Sequence, residues 1–164
     1  MKTLYLMRHA KSSWKHAELN DLERPLLEKG LKRTRLIIDF LKSNNVDIEL
    51  IICSHATRSL ETARIIAHAF GISNDNFRVE KAVYMADAES LTDQLYDLPS
   101  GVDKVMIVGH NPAITNLANN FLKEKIDYLP TSGVIAIAFS TDRWEELPGA
   151  KFKIKFSAFP KQIE

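Results

Sequence analysis

The sequence predicts an α/β protein: a three-layer α/β/α sandwich with a mainly parallel central sheet and antiparallel strands at its C-terminal end. Three observations predict it. Short apolar runs alternate with segments whose apolar residues recur at helical spacing, the order expected of a sheet covered on both faces. Three of those runs pass through a brief polar loop straight into a helix. The last two runs are joined without a convincing long helix, so they are expected to be antiparallel to each other.

Leu4–Met7 is the first strand, apolar enough to be buried on both faces. A polar loop follows over residues 11–24. Pro25 is suited to open a helix, since its missing N–H is not needed there. That helix reads from Glu28 to Lys42, with Leu31, Ile37, Ile38 and Leu41 on one face and Ser43-Asn44-Asn45 as its end. Ile48–Cys53 is the second strand. Thr57–Phe70 is the second helix, with Leu60, Ala63, Ala67 and Phe70 inward and Gly71 as its stop. Phe77–Val79 is a short strand, Ala88–Leu98 a helix, Lys104–Val108 a strand, and Pro112–Leu122 a helix opening on proline. Val134–Phe139 and Lys151–Phe156 are the last strands. In the final one Phe152, Ile154 and Phe156 lie on one side and Lys151, Lys153 and Lys155 on the other, an edge strand whose lysines discourage edge-to-edge pairing.

The 164 residues fit one domain over 1–164, with no internal repeat, low-complexity segment or linker. A formal net charge of +1 gives no global field for nucleic acid or a membrane surface, so any basic site is local. One cysteine, Cys53, allows no internal disulfide and suits a reducing compartment. The N-terminal apolar run is too short for a signal peptide, and no stretch approaches a membrane span. A cytoplasmic protein, monomeric by default, is expected, with neither nucleic acid nor membrane as partner.

The three strand–loop–helix segments carry the functional signal. They are Leu4–Met7 with Arg8-His9, Leu50–Cys53 with Ser54-His55-Ala56-Thr57-Arg58, and Val105–Val108 with Gly109-His110-Asn111-Pro112. In a parallel sheet the C-terminal strand ends share one edge, where ligands bind. Two arginines and two or three histidines are therefore expected to converge there. Arginine's planar fork suits two phosphate oxygens at once. His110 is a third donor, Gly109 permits close backbone approach, and the helix after Pro112 presents an anion-favouring N-terminus. A histidine nucleophile must be neutral on its attacking nitrogen, and neighbouring cations disfavour its protonation. The same arginines would thus hold phosphate and keep His9 reactive.

Arg8-His9, then Ser54-x-x-x-Arg58-x-x-x-Thr62-Ala63, then Gly109-His110 resembles, in this order and over nearly the whole chain, the histidine phosphatase superfamily, also called the phosphoglycerate mutase-like fold. Met7-Arg8-His9-Ala10-Lys11-Ser12-Ser13-Trp14, Asp21-x-x-Arg24-Pro25-Leu26 and Gly109-His110-Asn111-Pro112 look most like its small phosphohistidine phosphatases of the SixA type. The resemblance implies a single histidine phosphatase domain in which His9 is the phosphorylated nucleophile. Arg8, Arg58 and His110 form the phosphate pocket, and Lys11, Ser12 and Asn111 complete the substrate-binding set. No metal and no cofactor is implied. Two positions depart from the commoner pattern: Ala10 replaces a glycine, and His55 stands where proline is frequent. His55 is read as a loop side chain rather than a rim residue facing substrate. Lys11, where larger relatives often carry an acid, is either substrate-facing or solvated.

Larger members use a carboxylic acid to protonate the leaving oxygen. Glu89 is the residue put forward here, with Asp87 and Asp21 as the other candidates; Glu89 also fits a first helical turn, where a carboxylate is favoured regardless. An imidazole leaves more readily than an alcohol, its conjugate acid having a pKa of about 6.5. Brief loops between the motifs suggest an open site able to admit a protein-borne phosphate. The expected function is removal of phosphoryl groups through a phosphohistidine enzyme intermediate, acting on phosphohistidine in proteins. The alternatives are a small-molecule phosphomonoesterase of the same superfamily and a phospholigand-binding module without turnover. A cysteine phosphatase is rejected because Cys53 precedes Arg58 by the wrong spacing and lies in an apolar strand. A metal-dependent hydrolase is rejected because His16 and His68 stand alone. Trp14, between Lys11 and Lys15, is read as packing its loop onto the domain rather than stacking on nucleic acid.

Overall fold

The computed structural model describes residues 1–15 and 20–164. Its strands are β1 (Lys2–Arg8), β2 (Leu50–Cys53), β3 (Phe77–Val79), β4 (Lys104–Gly109), β5 (Val134–Phe139) and β6 (Phe152–Ala158), and its helices are α1 (Glu28–Ser43), α2 (Thr57–Phe70), α3 (Ala88–Tyr96), α4 (Ala113–Asn119) and α5 (Pro160–Ile163). The strands form one sheet in the order β3-β2-β4-β1-β5-β6. β1, β2, β3 and β4 are mutually parallel, whereas β5 runs against both β1 and β6. The chain is thus an α/β fold, mostly parallel with antiparallel C-terminal pairing. Residue 16, one of the histidines weighed above as a metal ligand, lies outside the described residues.

Period-two alternation divides the apolar side chains between two cores. Leu4, Leu6, Ile52, Val105, Ile107, Ile135 and Ile137 pack on one face with Leu91, Leu95, Ile114 and Leu117 of α3 and α4. Tyr5, Met7, Ile51, Cys53, Met106, Val108 and Ala136 pack on the other with Ile37, Ile38, Leu41, Ala63 and Ile66 of α1 and α2. β1, between β4 and β5, is buried along Lys2–Met7. Even Lys2 is enclosed: its Nζ donates to the carbonyls of Ser100 (2.6 Å) and Val102 (3.0 Å) and to Asp103 Oδ1 (2.7 Å). These bonds replace the water its ammonium loses. They lie at the end of β1 opposite Arg8.

Three local expectations are corrected. Pro25 does not open α1; its carbonyl accepts from Ser13 N (2.8 Å) while Leu27 N donates to Lys11 O (2.9 Å), so residues 24–27 run antiparallel to residues 11–13 before the helix begins. Within α1, Gly30 and Thr34 are buried where Leu31 is only half-buried. The final strand is an edge strand, antiparallel to β5, but its phenylalanines do not share a face. Ala136 pairs with Phe156 and Ile137 with Ile154, so Lys155 is the extra residue of a bulge. Phe156 therefore reaches Tyr5 and Phe40 on one face, while Phe152 meets Phe121 and Phe139 on the other. One inserted residue reverses the side on which subsequent side chains fall.

Gly30 is where α1 meets the loop after β1. A Cβ there would lie 2.5 Å from the Lys11 carbonyl oxygen and 2.9 Å from its nitrogen, both backbone atoms with little room to yield. Gly30→Ala is therefore expected to lower stability by about 1–3 kcal/mol despite alanine's better helix propensity. Urea unfolding of the two proteins measures it; an equal or higher midpoint would contradict the close approach.

Candidate active site

β1, β2 and β4 deliver their C-terminal ends to one place. His9 N donates to Gly109 O (3.1 Å), joining the ends of β1 and β4 beyond the last paired strand residues. Ala10 N donates to Thr62 Oγ1 (2.9 Å) on α2, and Ser132 N lies 3.1 Å from Arg8 O and 3.2 Å from His9 O. The backbone that carries His9 is thus held from three sides.

The His9 ring is buried. Its Nδ1 lies 2.7 Å from the carbonyl oxygen of Ala10. A carbonyl only accepts, so Nδ1 carries the proton and Nε2 carries the lone pair. Burial drives the His9 pKa down to about 3; the Ala10 carbonyl opposes that, and His110, Arg8 and Arg58 add to it. Ala10 is fully buried and outside the positive-φ region, so the replacement of glycine leaves no backbone strain there.

His110 follows β4, its ring centroid 5.1 Å from that of His9. Ser54 Oγ, at the end of β2, lies 2.6 Å from His110 Nε2. His110 is also held neutral, with a pKa near 4, chiefly by burial and next by Arg58, against the opposing charge of Asp21. Ser59 Oγ accepts from Ser54 N (3.1 Å) and donates to Val108 O (2.9 Å), tying α2 to both strands.

Two guanidiniums complete the group. Arg8 Nη1 donates to Leu129 O (3.2 Å), while its Nε is buried without a hydrogen-bond partner among the described residues; the same holds for His110 Nδ1. Burial lowers the Arg8 pKa, and Arg58 presses in the same direction, with Tyr128 opposing. Arg58, buried in the first turn of α2, donates from Nη1 to Asp21 O (2.7 Å) and from Nη2 to Asp21 Oδ2 (3.0 Å). Asp21 also accepts from Arg24 Nη1 at 3.0 Å and from the Tyr84 hydroxyl at 2.5 Å. The Tyr84 bond foremost, then those of Arg58 and Arg24, pull the Asp21 carboxyl down to about 2.

The expected residues Arg8, His9, Lys11, Ser12, Arg58, His110 and Asn111 all line one cleft of about 410 Å³, together with Trp14, Asp21, Arg24, Arg33 and Thr131. Ser12 Oγ accepts from Arg24 Nη2 (2.6 Å), Lys11 is exposed at the rim, and Asn111 is braced by Leu129 O (3.2 Å) and Thr115 Oγ1 (2.5 Å). Glu89 is not brought there: it is an exposed residue of the first turn of α3 and lines no part of the cleft. Asp87 caps that helix, accepting from Ser90 N (2.8 Å). Gly109 does not serve a close approach, since a Cβ there would meet Ile114 and Val83 at ordinary contact distances of 3.5 and 3.8 Å. Pro112 precedes α4 as its cap residue rather than opening it as the first helical residue. Trp14 does not pack its loop onto the domain: it is 78% exposed, and the Arg24 guanidinium stacks 3.2 Å from its ring centre. Cys53 is buried, which pushes its thiol up to about 12. Among the described residues no group of three or more His, Cys, Asp or Glu side chains is placed to hold a metal ion. No helix there is long and apolar enough to cross a membrane.

Sequence reasoning missed Tyr84 and Ser132. Tyr84 stands edge-on to both His110 (5.5 Å) and His55 (5.3 Å). Nothing in its local pattern marks it. Ser132 has a positive φ of 61° and hydrogen-bonds Thr34 (2.9 Å); the Thr131-Ser132-Gly133 turn ahead of β5 was the available signal. A second cleft, of about 520 Å³, shares Asp21, Arg58, His110 and Asn111 with the first and adds Tyr84, Met85, Ala86, Pro112 and Ala113.

Residues 4–82 match the family description "Histidine phosphatase superfamily (branch 1)", a span that includes Arg8, His9 and Arg58. The chain belongs to the histidine phosphatase superfamily. It is 31% identical to an uncharacterized protein of Mycobacterium leprae over 153 residues, 86% of this chain and 91% of that one. Its fold is similar to that of a protein histidine phosphatase SixA solved with tungstate, with a TM-score of 0.83 and 21% identity over 99% of both chains. A putative phosphohistidine phosphatase SixA from Agrobacterium tumefaciens gives 0.80 and 24% over 97% of this chain and 99% of that one. The fold is SixA-like and phosphoglycerate mutase-like, and family membership supports a phosphatase activity.

Both site histidines are neutral when folded and protonate at ordinary pH only when unfolded. Their folded pKa values lie below the unfolded one, so the unfolded state takes up more protons as pH falls below about 6.5, and stability declines with it. Acidifying from about pH 7 to about pH 5 is expected to cost about 2 kcal/mol for each histidine. Urea unfolding of wild type and His9→Asn at both pH values measures the His9 share as the difference in slope; identical pH dependence would contradict the depressed pKa.

Proposed function

We propose that this chain is a phosphatase that transfers a phosphoryl group to His9 Nε2, releases it to water, and acts on phosphohistidine carried by proteins. The observation that carries this reading is a buried, neutral histidine whose free lone pair sits among uncompensated donors. Arg8 Nε and His110 Nδ1 are buried without partners, at a cost of about 1–3 kcal/mol each. Burial lowers the Arg8 pKa, and the nearby charge of Arg58 adds to that effect by repulsion. A bound oxyanion would satisfy the donors and relieve that repulsion. The related fold solved with tungstate, a tetrahedral oxyanion, is consistent with such a pocket.

Catalysis of phosphoryl transfer is mostly positioning and charge stabilisation. His9 Nε2 forms a bond to phosphorus as the bond to the leaving group breaks, and Nδ1–H keeps its bond to the Ala10 carbonyl throughout. Arg8 and Arg58 hold the equatorial oxygens. With Ser54 Oγ donating to Nε2 of His110, the His110 Nδ1–H is a further donor to them. No metal is required in this scheme, since the two guanidiniums supply the positive charge.

The leaving group decides the substrate class. Among the described residues, Asp21 is the only carboxylate lining either cleft, and its pKa near 2 makes it an anion at neutral pH. It has no proton to give an alkoxide. Phosphohistidine needs none: with its distal nitrogen already protonated, the imidazole departs as the neutral ring, and one P–N bond replaces another. Water then attacks phosphorus, the His9 P–N bond breaks, and inorganic phosphate leaves.

His9→Ala is expected to reduce phosphate release from phosphohistidine peptides by roughly a thousandfold or more. Rapid quenching should trap an acid-labile phosphoryl group on wild type and none on the variant. Unchanged release would refute the nucleophile. Indifference to phosphohistidine peptides alongside rapid hydrolysis of one sugar phosphate would refute the substrate class.

A further inference from the structure

We infer that the second cleft is a leaving-group subsite built for a flat, protonated nitrogen heterocycle, with Asp21 as the group that recognises its N–H. The inference rests on the phosphohistidine reading above and assigns the half of the substrate that reading leaves unplaced.

Continuity comes first. The two clefts have Asp21, Arg58, His110 and Asn111 in common, so a phosphoryl group held beside His9 has its leaving side next to this space. Shape comes second. The added walls are Tyr84, Met85 and Pro112, with little polarity apart from the Tyr84 hydroxyl. Tyr84 is fixed by its edge contact with His110 and its bond to Asp21, leaving ring surface beside the cleft. Met85, at a positive φ of 54°, is 86% exposed, an unbranched apolar side chain held out at the mouth. Such a wall suits a ring rather than a polyol.

Charge comes third. Asp21 is the one anionic side chain on this wall among the described residues. Its Oδ1 holds Arg24 and its Oδ2 holds Arg58 and Tyr84, yet each carboxylate oxygen can accept more than one bond, and the side chain is 44% exposed. An imidazolium N-phosphate places its distal N–H one ring away from phosphorus. There an acceptor stabilises the proton that must stay on the departing ring. A phosphomonoester with an alkoxide leaving group has no ring N–H to place there, and the negative charge that builds on its leaving oxygen is repelled by the carboxylate.

The test compares N-phosphoimidazole with p-nitrophenyl phosphate, whose leaving group departs as an anion. Asp21→Asn retains an oxygen for Arg24 or Arg58 and the backbone carbonyl that also holds Arg58. The ratio of kcat/KM values, N-phosphoimidazole over p-nitrophenyl phosphate, is expected to fall by about tenfold or more in the variant. A ratio unchanged within about twofold would overturn the assignment even if both rates dropped, because that outcome assigns Asp21 to positioning Arg58 alone. The wild type provides a second readout that needs no variant: imidazole near its own pKa should compete with N-phosphoimidazole about tenfold better than neutral thiazole of the same size. Equal competition overturns the subsite. Failure of the wild type on every phosphoramidate, with p-nitrophenyl phosphate still hydrolysed, would instead overturn the phosphohistidine reading itself.

Discussion

The hydrogen bond from His9 Nδ1 to the carbonyl of Ala10 sets what this site is able to do. At 2.7 Å it assigns the ring proton to one nitrogen and leaves the other with a lone pair. It depends on the backbone of residues 8–10 being immobile. That in turn depends on β1 being enclosed between β4 and β5, on Thr62 reaching up from α2, and on the Ser132 amide closing the other side. A carbonyl favours the imidazolium, so the bond alone would raise the pKa; burial wins, and the ring stays neutral. The nucleophile proposed for this chain is therefore a product of packing more than of neighbouring charge.

Electrostatics around that ring are arranged in two tiers. Arg8 is left with an unpartnered nitrogen, while Arg58 is engaged twice by Asp21. Asp21 in turn gathers Arg24 and Tyr84. The tier at Arg8 has no carboxylate partner among the described residues, and the tier at Asp21 sets one carboxylate against two guanidiniums. Four arginines and one carboxylate of the described residues line the first cleft, so an incoming oxyanion is drawn in with its phosphoryl group first.

Much of this was legible in the sequence, and the reasons are specific. Apolar runs ending in Arg8-His9, Ser54 and Gly109-His110 announce strands that point charged residues at a common edge, and topology does the rest. Thr57–Phe70 was readable to the residue because Gly71, at a φ of 65°, stops the helix by backbone conformation alone. What was hidden depends on contacts far apart in the chain. The bulge at Lys155 follows from pairing with β5, so alternation within β6 put its phenylalanines on one face when they belong to two. The burial of Gly30 follows from Lys11 lying against α1. Asp21 looked like one acid among three, and only the convergence of Arg24, Arg58 and Tyr84 on it distinguishes it from the solvent-facing Glu89. Trp14 is the opposite case: it was expected to pack its loop onto the domain, but it is the stacked guanidinium of Arg24 that occupies its face.

The chain has two tryptophans, and they sit in contrasting places. Trp144 is fully enclosed, its Nε1 bonded to Val102 O, whereas Trp14 stands in water at the lip of the first cleft. Their emission should therefore separate by wavelength, the enclosed indole to the blue and the wet one to the red. Trp14, stacked on an arginine that also touches Ser12 and Asp21, would respond to whatever occupies the cleft, and Trp144 would serve as an internal reference. The unlabelled protein thus carries a built-in optical gauge of its own occupancy.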